Sequence, residues 1–209
     1  MTTAVISPRL FEPGTTGWTA HDLEDPAIER QWHEGRYEII NGVLTNLAPP
    51  DFFGNTSLEE LVFVLKSHLK SQGISDRFAQ DADIIIDEDR VVRADAVWLT
   101  DKDLRRQRKA MRDAAKTRFR RRRVLVPPTL IIQSVSLGHE RHDERTKLAW
   151  YAEFGVLNYW IVNPLTRSIR CFVLERGKYR LDTEGKDAAE LHPALFPGVT
   201  IPLSQLWLE

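Results

Sequence analysis

The chain has 209 residues, of which 42% are hydrophobic and 28% charged, and its formal net charge is −1. This composition excludes a disordered chain and suits a single domain over 1–209, within which residues 1–17 form an N-terminal tail. The single cysteine, Cys171, excludes an internal disulfide and a cysteine zinc cluster. No apolar run reaches the ~18 residues of a membrane span, and a signal-peptide pattern is missing. We therefore expect a cytoplasmic protein that does not contact membranes.

The first third of the chain predicts a short helix, a hairpin and a longer helix. Residues 22–32 are typical of a helix that begins at a Thr or Asp cap. Asn41-Gly42 separates RYEII from VLTNLA, which predicts a β-hairpin with a primed turn because both central residues tolerate positive φ. An aliphatic stripe predicts the next helix, from a cap at Thr56 or Ser57 to Gly73. The stripe consists of Leu58, Leu61, Val62, Leu65 and Leu69.

Strands dominate the remainder. RFAQDADIII and VVRADAVWL flank a turn at DEDR, and TLIIQSVS forms another strand that continues into a helix. VLNYWIVN and SIRCFVLE follow, joined through Asn163-Pro164, and KYRLD comes last. Strands joined partly by hairpins and partly by helices predict an α/β fold in which helices flank a mixed β-sheet.

The charges are distributed unevenly. Residues 102–123 hold twelve Lys or Arg and two Asp, so this segment carries +10 and the rest of the chain −11. Leu104, Met111, Ala115 and Phe119 share one narrow face, which predicts a basic helix ending before Pro127. Because phosphate backbones attract such clusters, we predict DNA contact. The residues are Arg105, Arg106, Arg108, Lys109, Arg112, Arg120, Arg121, Arg122 and Arg123. A solvated face, an anionic protein partner and a homodimer contact are the alternatives.

Two apolar strands carry an unexpected polar residue. Alternation places Asp95 on the face of Val97, and Gln133 on the face of Ile131. A buried carboxylate needs a partner, because burial of an unpaired charge is costly. An acid on one strand and a polar oxygen on the next suit a hard divalent cation.

The helix after the Gln133 strand carries a polar stripe. Asp143, Lys147 and Tyr151 are four residues apart and therefore lie on one face. Asp143 and Lys147 could form an exposed ion pair, which contributes only ~0.3–0.5 kcal/mol. Because an exposed pair contributes so little, we expect replacement of Lys147 to leave the fold almost intact.

The order and spacing of these segments resemble the PD-(D/E)XK nuclease superfamily, and within it the Uma-type branch of restriction-endonuclease-like proteins. The resemblance runs from about Trp18 to Trp207 and leaves 101–123 as an inserted basic helical segment. Its most specific part is K-x-x-x-Y followed by GV-x-x-YW-x-V. In this chain these positions are Lys147, Tyr151, Gly155, Val156, Tyr159, Trp160 and Val162.

The resemblance implies a restriction-endonuclease-like fold with an N-terminal β-hairpin, and hydrolysis of phosphodiester bonds in DNA with Mg²⁺ or Mn²⁺. The active-site residues that it implies are Glu38, Asp95, Gln133 and Lys147, with Asp143 and Tyr151 in support. The first three of these would hold the metal ion. Lys147 would lie beside the attacking water.

Three positions depart from the family pattern. Gln133 stands where the family has the glutamate of its E-x-x-S motif, although Ser136 keeps the serine. Ala94 replaces the proline before Asp95, and Gly54 falls about where the family often has a histidine. Glutamine still offers a carbonyl oxygen but removes one negative charge, so affinity for the ion should fall. The alternatives are a nucleic-acid-binding module that has lost the chemistry, and an interaction protein that uses its basic helix.

Overall fold

A computed structural model describes residues 10–47, 52–74, 77–113, 123–135 and 146–207. Within these ranges the α-helices are α1 (Pro26–Glu34), α2 (Phe52–Ser71), α3 (Asp101–Asp113) and α4 (Lys147–Phe154). The strands are β1 (Tyr37–Ile40), β2 (Val43–Asn46), β3 (Phe78–Ile85), β4 (Val91–Trp98), β5 (Leu130–Ser134), β6 (Asn158–Asn163), β7 (Ser168–Glu175), β8 (Lys178–Lys186), β9 (Glu190–Leu191) and β10 (Ile201–Pro202). Short 3₁₀ helices cover Asp22–Glu24 and Leu203–Gln205.

The main sheet has eight strands in the order β2-β1-β4-β5-β6-β7-β8, and β3 also pairs with β4. Strands β5 and β6 are parallel, whereas the other neighbours in this sheet are antiparallel. Strands β9 and β10 form a separate antiparallel pair. The predicted mixed sheet flanked by helices is confirmed.

Strand β4 pairs with β3 along one edge, and β1 and β5 share its other edge. Strand β3 pairs with β4 from Val91 to Trp98. On the other edge, β1 pairs with β4 at Val91, and β5 pairs with it from Ala96 to Trp98. Residues 92–95 lie between these two ladders, and we call this interval the β4 gap. A gap in a sheet leaves backbone N–H and C=O groups that need other partners.

Hydrophobic packing covers both faces of the sheet. The leucine stripe of α2 packs with Leu130 and Trp160 in one buried cluster. Tyr151 of α4 packs with Ile131 and Tyr159 in another. Because Leu130 and Ile131 are consecutive on β5, their side chains point to opposite faces, and α2 and α4 therefore cover opposite sides. None of the described helices combines the length and apolar character that a membrane crossing requires.

The N-terminal hairpin forms as predicted, with Asn41 and Gly42 at φ 50° and 74°. Residues 10–17, which were predicted as part of a tail, pack against this hairpin. Gly14 N–H donates to Leu44 O at 2.7 Å, and Leu44 N–H donates to Thr15 O at 3.0 Å. The ring of Phe11 lies 4.9 Å from that of Tyr37. This segment is therefore part of the folded structure.

Polar side chains anchor α3, the described part of the basic segment. Thr100 and Asp103 form a reciprocal cap at its start, and Asp103 also accepts a hydrogen bond from Thr129. Gln107 donates to Arg123 O at 2.6 Å and accepts from Leu125 N–H at 2.9 Å. The buried residues of α3 are thus Asp103 and Gln107. Of the predicted apolar seam, Leu104 and Met111 are half-buried, and Ala115 and Phe119 lie outside the described residues.

Candidate active site

Glu38 and Lys147 form an ion pair at the β4 gap. Lys147 Nζ lies 2.9 Å from Glu38 Oε1, with the two side chains 2% and 0% exposed. The same oxygen accepts the backbone N–H of Arg93 at 2.8 Å. Arg93 lies inside the gap, so the carboxylate occupies the place of a neighbouring strand. The expectation that Lys147 belongs to an exposed ion pair is therefore wrong.

Asp95 lies at the other end of the gap. Its Oδ2 accepts hydrogen bonds from Ser134 N–H at 2.7 Å and from Gln133 Nε2 at 2.6 Å. The Gln133 side chain is buried, and within the described ranges its Oε1 has no hydrogen-bond partner. The glutamine therefore donates to the aspartate and keeps one acceptor unused.

The structure brings four predicted site residues to one place. Arg93, which holds Glu38, and Asp95 are two residues apart, or roughly 7 Å along an extended strand. Tyr151 follows Lys147 by one helical turn and is buried, with its ring 5.1 Å from that of Tyr159. Tyr151 thus supports the position of α4. Asp143 and Ser136 lie outside the described residues.

The oxygen donors fit a hard divalent cation. Magnesium is usually held by one or two carboxylates, and other oxygens and waters complete its octahedron. Asp95 offers a carboxylate, and Gln133 Oε1 offers a buried carbonyl oxygen without a partner in the described part of the chain. Glu38 is engaged by Lys147. The described ranges contain no group of three or more His, Cys, Asp or Glu residues that could hold a metal ion. The four side chains carry a formal charge of −1, because two carboxylates face one ammonium and the glutamine is neutral.

A cleft of about 140 Å³ opens beside Asp95. Residues of α2, β3 and β4 and the residue before β1 line it: Arg36, Asn55, Leu58, Glu59, Gln80, Asp81 and Asp95. Arg36 and Asp81 were not predicted from the sequence. The sequence could have indicated Arg36, because it precedes Glu38 by two residues and alternation places both side chains on the same side of an extended segment.

A buried charged cluster includes Arg93 of the β4 gap. Asp83 is 2.8 Å from Arg93 Nε and 2.8 Å from Arg123 Nε, and it accepts a hydrogen bond from Trp32 Nε1 at 2.8 Å. Arg123 is only 3% exposed. The prediction that Arg123 contacts nucleic acid is therefore corrected: its side chain is interior, and it connects the end of the inserted segment to β3.

The basic face of α3 is exposed. Arg105, Arg106, Arg108, Lys109 and Arg112 all lie at the surface, whereas Arg120, Arg121 and Arg122 lie outside the described residues. Asp103 and Gln107 fasten the opposite face of α3 to the protein. The helix therefore presents a one-sided basic surface, which we call the α3 basic face.

Comparisons with known proteins agree with this architecture. The structure is similar to that described as "a putative nuclease belonging to DUF820" from Anabaena variabilis, with a TM-score of 0.62 and 15% identity. The similarity covers 83% of this chain and 90% of the other. At this identity the likeness shows the fold alone. Curated proteins yield no match. The model of the family Uma2, described as "Putative restriction endonuclease", matches residues 24–204. Because this match spans most of the sequence, the chain belongs to the Uma2 family.

Proposed function

We propose that this protein is a divalent-cation-dependent nuclease that hydrolyses phosphodiester bonds in DNA, with Mg²⁺ or Mn²⁺ as its cofactor. The observation that carries the proposal is the convergence of Glu38, Asp95, Gln133 and Lys147 at the β4 gap. Membership of the Uma2 family supports nuclease activity. The cleft beside Asp95 opens the site to the surface and supports access of a phosphate group.

Asp95 and Gln133 are the residues that would hold the cation, through a carboxylate oxygen and the unused Oε1. A bound divalent cation lowers the pKa of a coordinated water and neutralises charge on a phosphate. The hydrogen bond from Ser134 N–H fixes the orientation of the Asp95 carboxylate. The same oxygen receives the Gln133 amide, so the two side chains hold each other in place.

Lys147 and Glu38 contribute a buried ion pair to the proposed active site. The Lys147 ammonium has three N–H donors, and Glu38 Oε1 takes one of them. An ammonium in this position can orient a water or contact a phosphate oxygen on which charge develops. Arg93 N–H keeps Glu38 in the gap and thereby keeps the ammonium near Asp95. The lysine orients and stabilises, and the carboxylate positions the lysine.

The α3 basic face supports DNA as the substrate. Its arginines and lysine are exposed on a helix that follows directly after β4, the strand of Asp95. A basic surface beside the site would hold the phosphate backbone and raise the local concentration of substrate. The contacts would be independent of base sequence, because phosphates are the same in every sequence.

One observation favours a second function, a nucleic-acid-binding protein without cleavage. The Gln133 amide already donates to Asp95, and Gln133 cannot supply the charge of the glutamate it replaces. Two carboxylates and one ammonium leave a net charge of only −1 to attract a divalent cation. A site of that charge can persist as a hydrogen-bonded network with no ion.

Cleavage of supercoiled plasmid at low salt tests the proposal, with Mg²⁺, with Mn²⁺ and with EDTA. We expect nicked or linear product that requires the cation. Asp95→Asn, purified identically, serves as the inactive control, because asparagine keeps an oxygen acceptor for Ser134 N–H. Arg180→Met, an exposed residue on β8, serves as the active control. Equal cleavage by wild type and Asp95→Asn would assign the activity to a contaminant. Binding of the plasmid without cleavage would favour the second function.

A further inference from the structure

Arg36 and Asp81 form an ion pair at the cleft beside Asp95. Arg36 Nη1 lies 3.0 Å from Asp81 Oδ1 and 3.3 Å from Oδ2. The Arg36 side chain is 26% exposed and that of Asp81 is 61% exposed. Both residues line the cleft together with Asp95. The pair therefore stands at the entrance to the proposed active site.

The backbone at Asp81 is unusual for a strand. Asp81 has φ 50°, and it interrupts β3 between the paired residues Gln80 and Ala82. The other non-glycine residues with positive φ in the described ranges lie in turns: Asn41, Arg167, Arg176 and Asp187. A left-handed residue inside a strand costs free energy, and such residues cluster at functional sites. The ladder on either side places Asp81 opposite Asp95 on β4.

The Arg36 guanidinium has N–H donors that the ion pair with Asp81 does not use. A guanidinium carries five N–H donors in a planar fork. The contact with Asp81 is made by Nη1, and Nε is buried with no hydrogen-bond partner in the described part of the protein. An ion pair with so exposed a carboxylate contributes little, so another anion can displace Asp81. A phosphate can accept two parallel N–H···O bonds from the fork, whereas the contact with Asp81 uses Nη1 alone.

The cleft is acidic apart from Arg36. Glu59, Asp81 and Asp95 are acidic, and Arg36 is the cationic residue among those that line the cleft. An acidic cleft repels a polynucleotide unless positive charge compensates it, and Arg36 adds such charge to that of the cation proposed at Asp95. Arg36 also precedes Glu38 by two residues, so it shares the side of the chain that faces the β4 gap.

We infer that Arg36 binds a phosphate group of the polynucleotide next to the phosphodiester that is cleaved, and that Asp81 holds its guanidinium in the unbound protein. The inference rests on the proposed function, because it names the residue that places the substrate at that site. When the polynucleotide binds, its phosphate replaces the Asp81 carboxylate on the guanidinium. Asp81 therefore weakens binding, although it keeps Arg36 in position.

Two substitutions should change affinity in opposite directions. Arg36→Ala removes a charge-assisted phosphate contact and should weaken binding roughly tenfold. It should also reduce the slope of log affinity against log salt by about 0.9, the value for one phosphate contact in a duplex. Asp81→Asn removes the competing charge and should tighten binding. Asparagine tolerates a left-handed backbone as aspartate does, so the fold should be retained.

The measurement is fluorescence anisotropy of a short fluorescein-labelled DNA duplex, titrated in EDTA over a series of salt concentrations. The exposed Arg180→Ala on β8 is the matched control and should bind as wild type does. We expect Asp81→Asn to tighten binding less in the Arg36→Ala protein than in the protein that retains Arg36. Equal tightening in both backgrounds would show a general charge effect and would overturn the competition between Asp81 and phosphate.

Failure of this inference and failure of the proposed function are distinguishable. If the wild type binds the duplex and cleaves plasmid, and Arg36→Ala has the same affinity and salt slope, only the role of Arg36 is overturned. If the wild type neither binds nor cleaves, the proposed function falls, and the role of Arg36 falls with it. If Arg36→Ala does not fold, Arg36→Gln and Asp81→Asn decide, and weaker binding by Asp81→Asn would overturn the inference.

Discussion

Replacing Lys147 by methionine should destabilise the protein strongly. Methionine keeps much of the length of the side chain but removes the ammonium, and it leaves the Glu38 carboxylate buried at 0% exposure. Breaking a buried ion pair on one side costs about 3–5 kcal/mol. That is a large part of the total stability of a domain, which is about 5–15 kcal/mol. In a protein of this size the loss corresponds to a melting temperature lower by roughly 6–20 °C.

A double-variant cycle separates charge from shape in this prediction. Glu38→Gln keeps an oxygen that can accept Arg93 N–H and removes the carboxylate charge. Combined with Lys147→Met, it leaves no unpaired charge between these two positions. We therefore expect the double variant to regain most of the stability that Lys147→Met loses, because removing both partners of a buried pair costs far less than removing one.

Urea denaturation followed by tryptophan fluorescence measures these stabilities, with an unchanged m-value as the check on two-state unfolding. Arg180→Met breaks the exposed Arg180–Glu175 pair, in which both side chains are about half exposed, and it should leave the urea midpoint unchanged. A Lys147→Met protein within about 1 kcal/mol of wild type would refute the argument from burial. So would a double variant that is no more stable than Lys147→Met alone.

Three further predictions follow from the site and its surroundings. Gln133→Glu should change the charge of the centre from −1 to −2, so Mn²⁺ should increase the melting temperature of this variant more than that of wild type; an equal shift in both proteins would contradict the role of Gln133 as a ligand position. Replacing three residues of the α3 basic face with serine should lower the salt slope of duplex binding by about 0.9 for each phosphate that these side chains neutralise in the wild type, for all sequences alike. The residues are Arg105, Arg108 and Arg112, and an unchanged slope would reject phosphate binding by this face. Burial raises the pKa of the Cys171 thiol, so thiolate is scarce, and the native protein should resist iodoacetamide until urea unfolds it. Rapid alkylation of the native protein would show that β7 opens locally.

The sequence by itself determined most of the secondary structure and the class of fold, although α2 begins at Phe52, before the predicted cap at Thr56 or Ser57. The Asn41-Gly42 turn, the leucine stripe of α2 and the apolar strands are local patterns, because turn chemistry and side-chain period act over a few residues. They were sufficient to predict the mixed sheet with its flanking helices. The spacing around Lys147 and Tyr151 was sufficient for the resemblance to the nuclease superfamily, and the family match agrees with it.

Tertiary structure decided how buried each charge is and which partner it has. Lys147 and Glu38 are 109 residues apart in sequence, and their spacing cannot show that they meet in the β4 gap. The same holds for Arg123, which ends a run of arginines and yet lies inside the protein beside Asp83. A run of charge is a local property, whereas burial depends on which distant segments pack against it.

The roles of Gln133 and Asp81 likewise depend on the meeting of separate strands. The apolar pattern of its strand indicated that Gln133 was unusual, but only the approach of β4 to β5 shows that its amide donates to Asp95. Asp81 looks like an ordinary polar strand residue in sequence, and its left-handed backbone and its position opposite Asp95 come from the pairing of β3 with β4. Local preferences determine which elements form, because they act between near neighbours. The chemistry of the site depends on contacts between residues far apart in the chain, and the pairing of the strands and the packing of α4 on the sheet create those contacts.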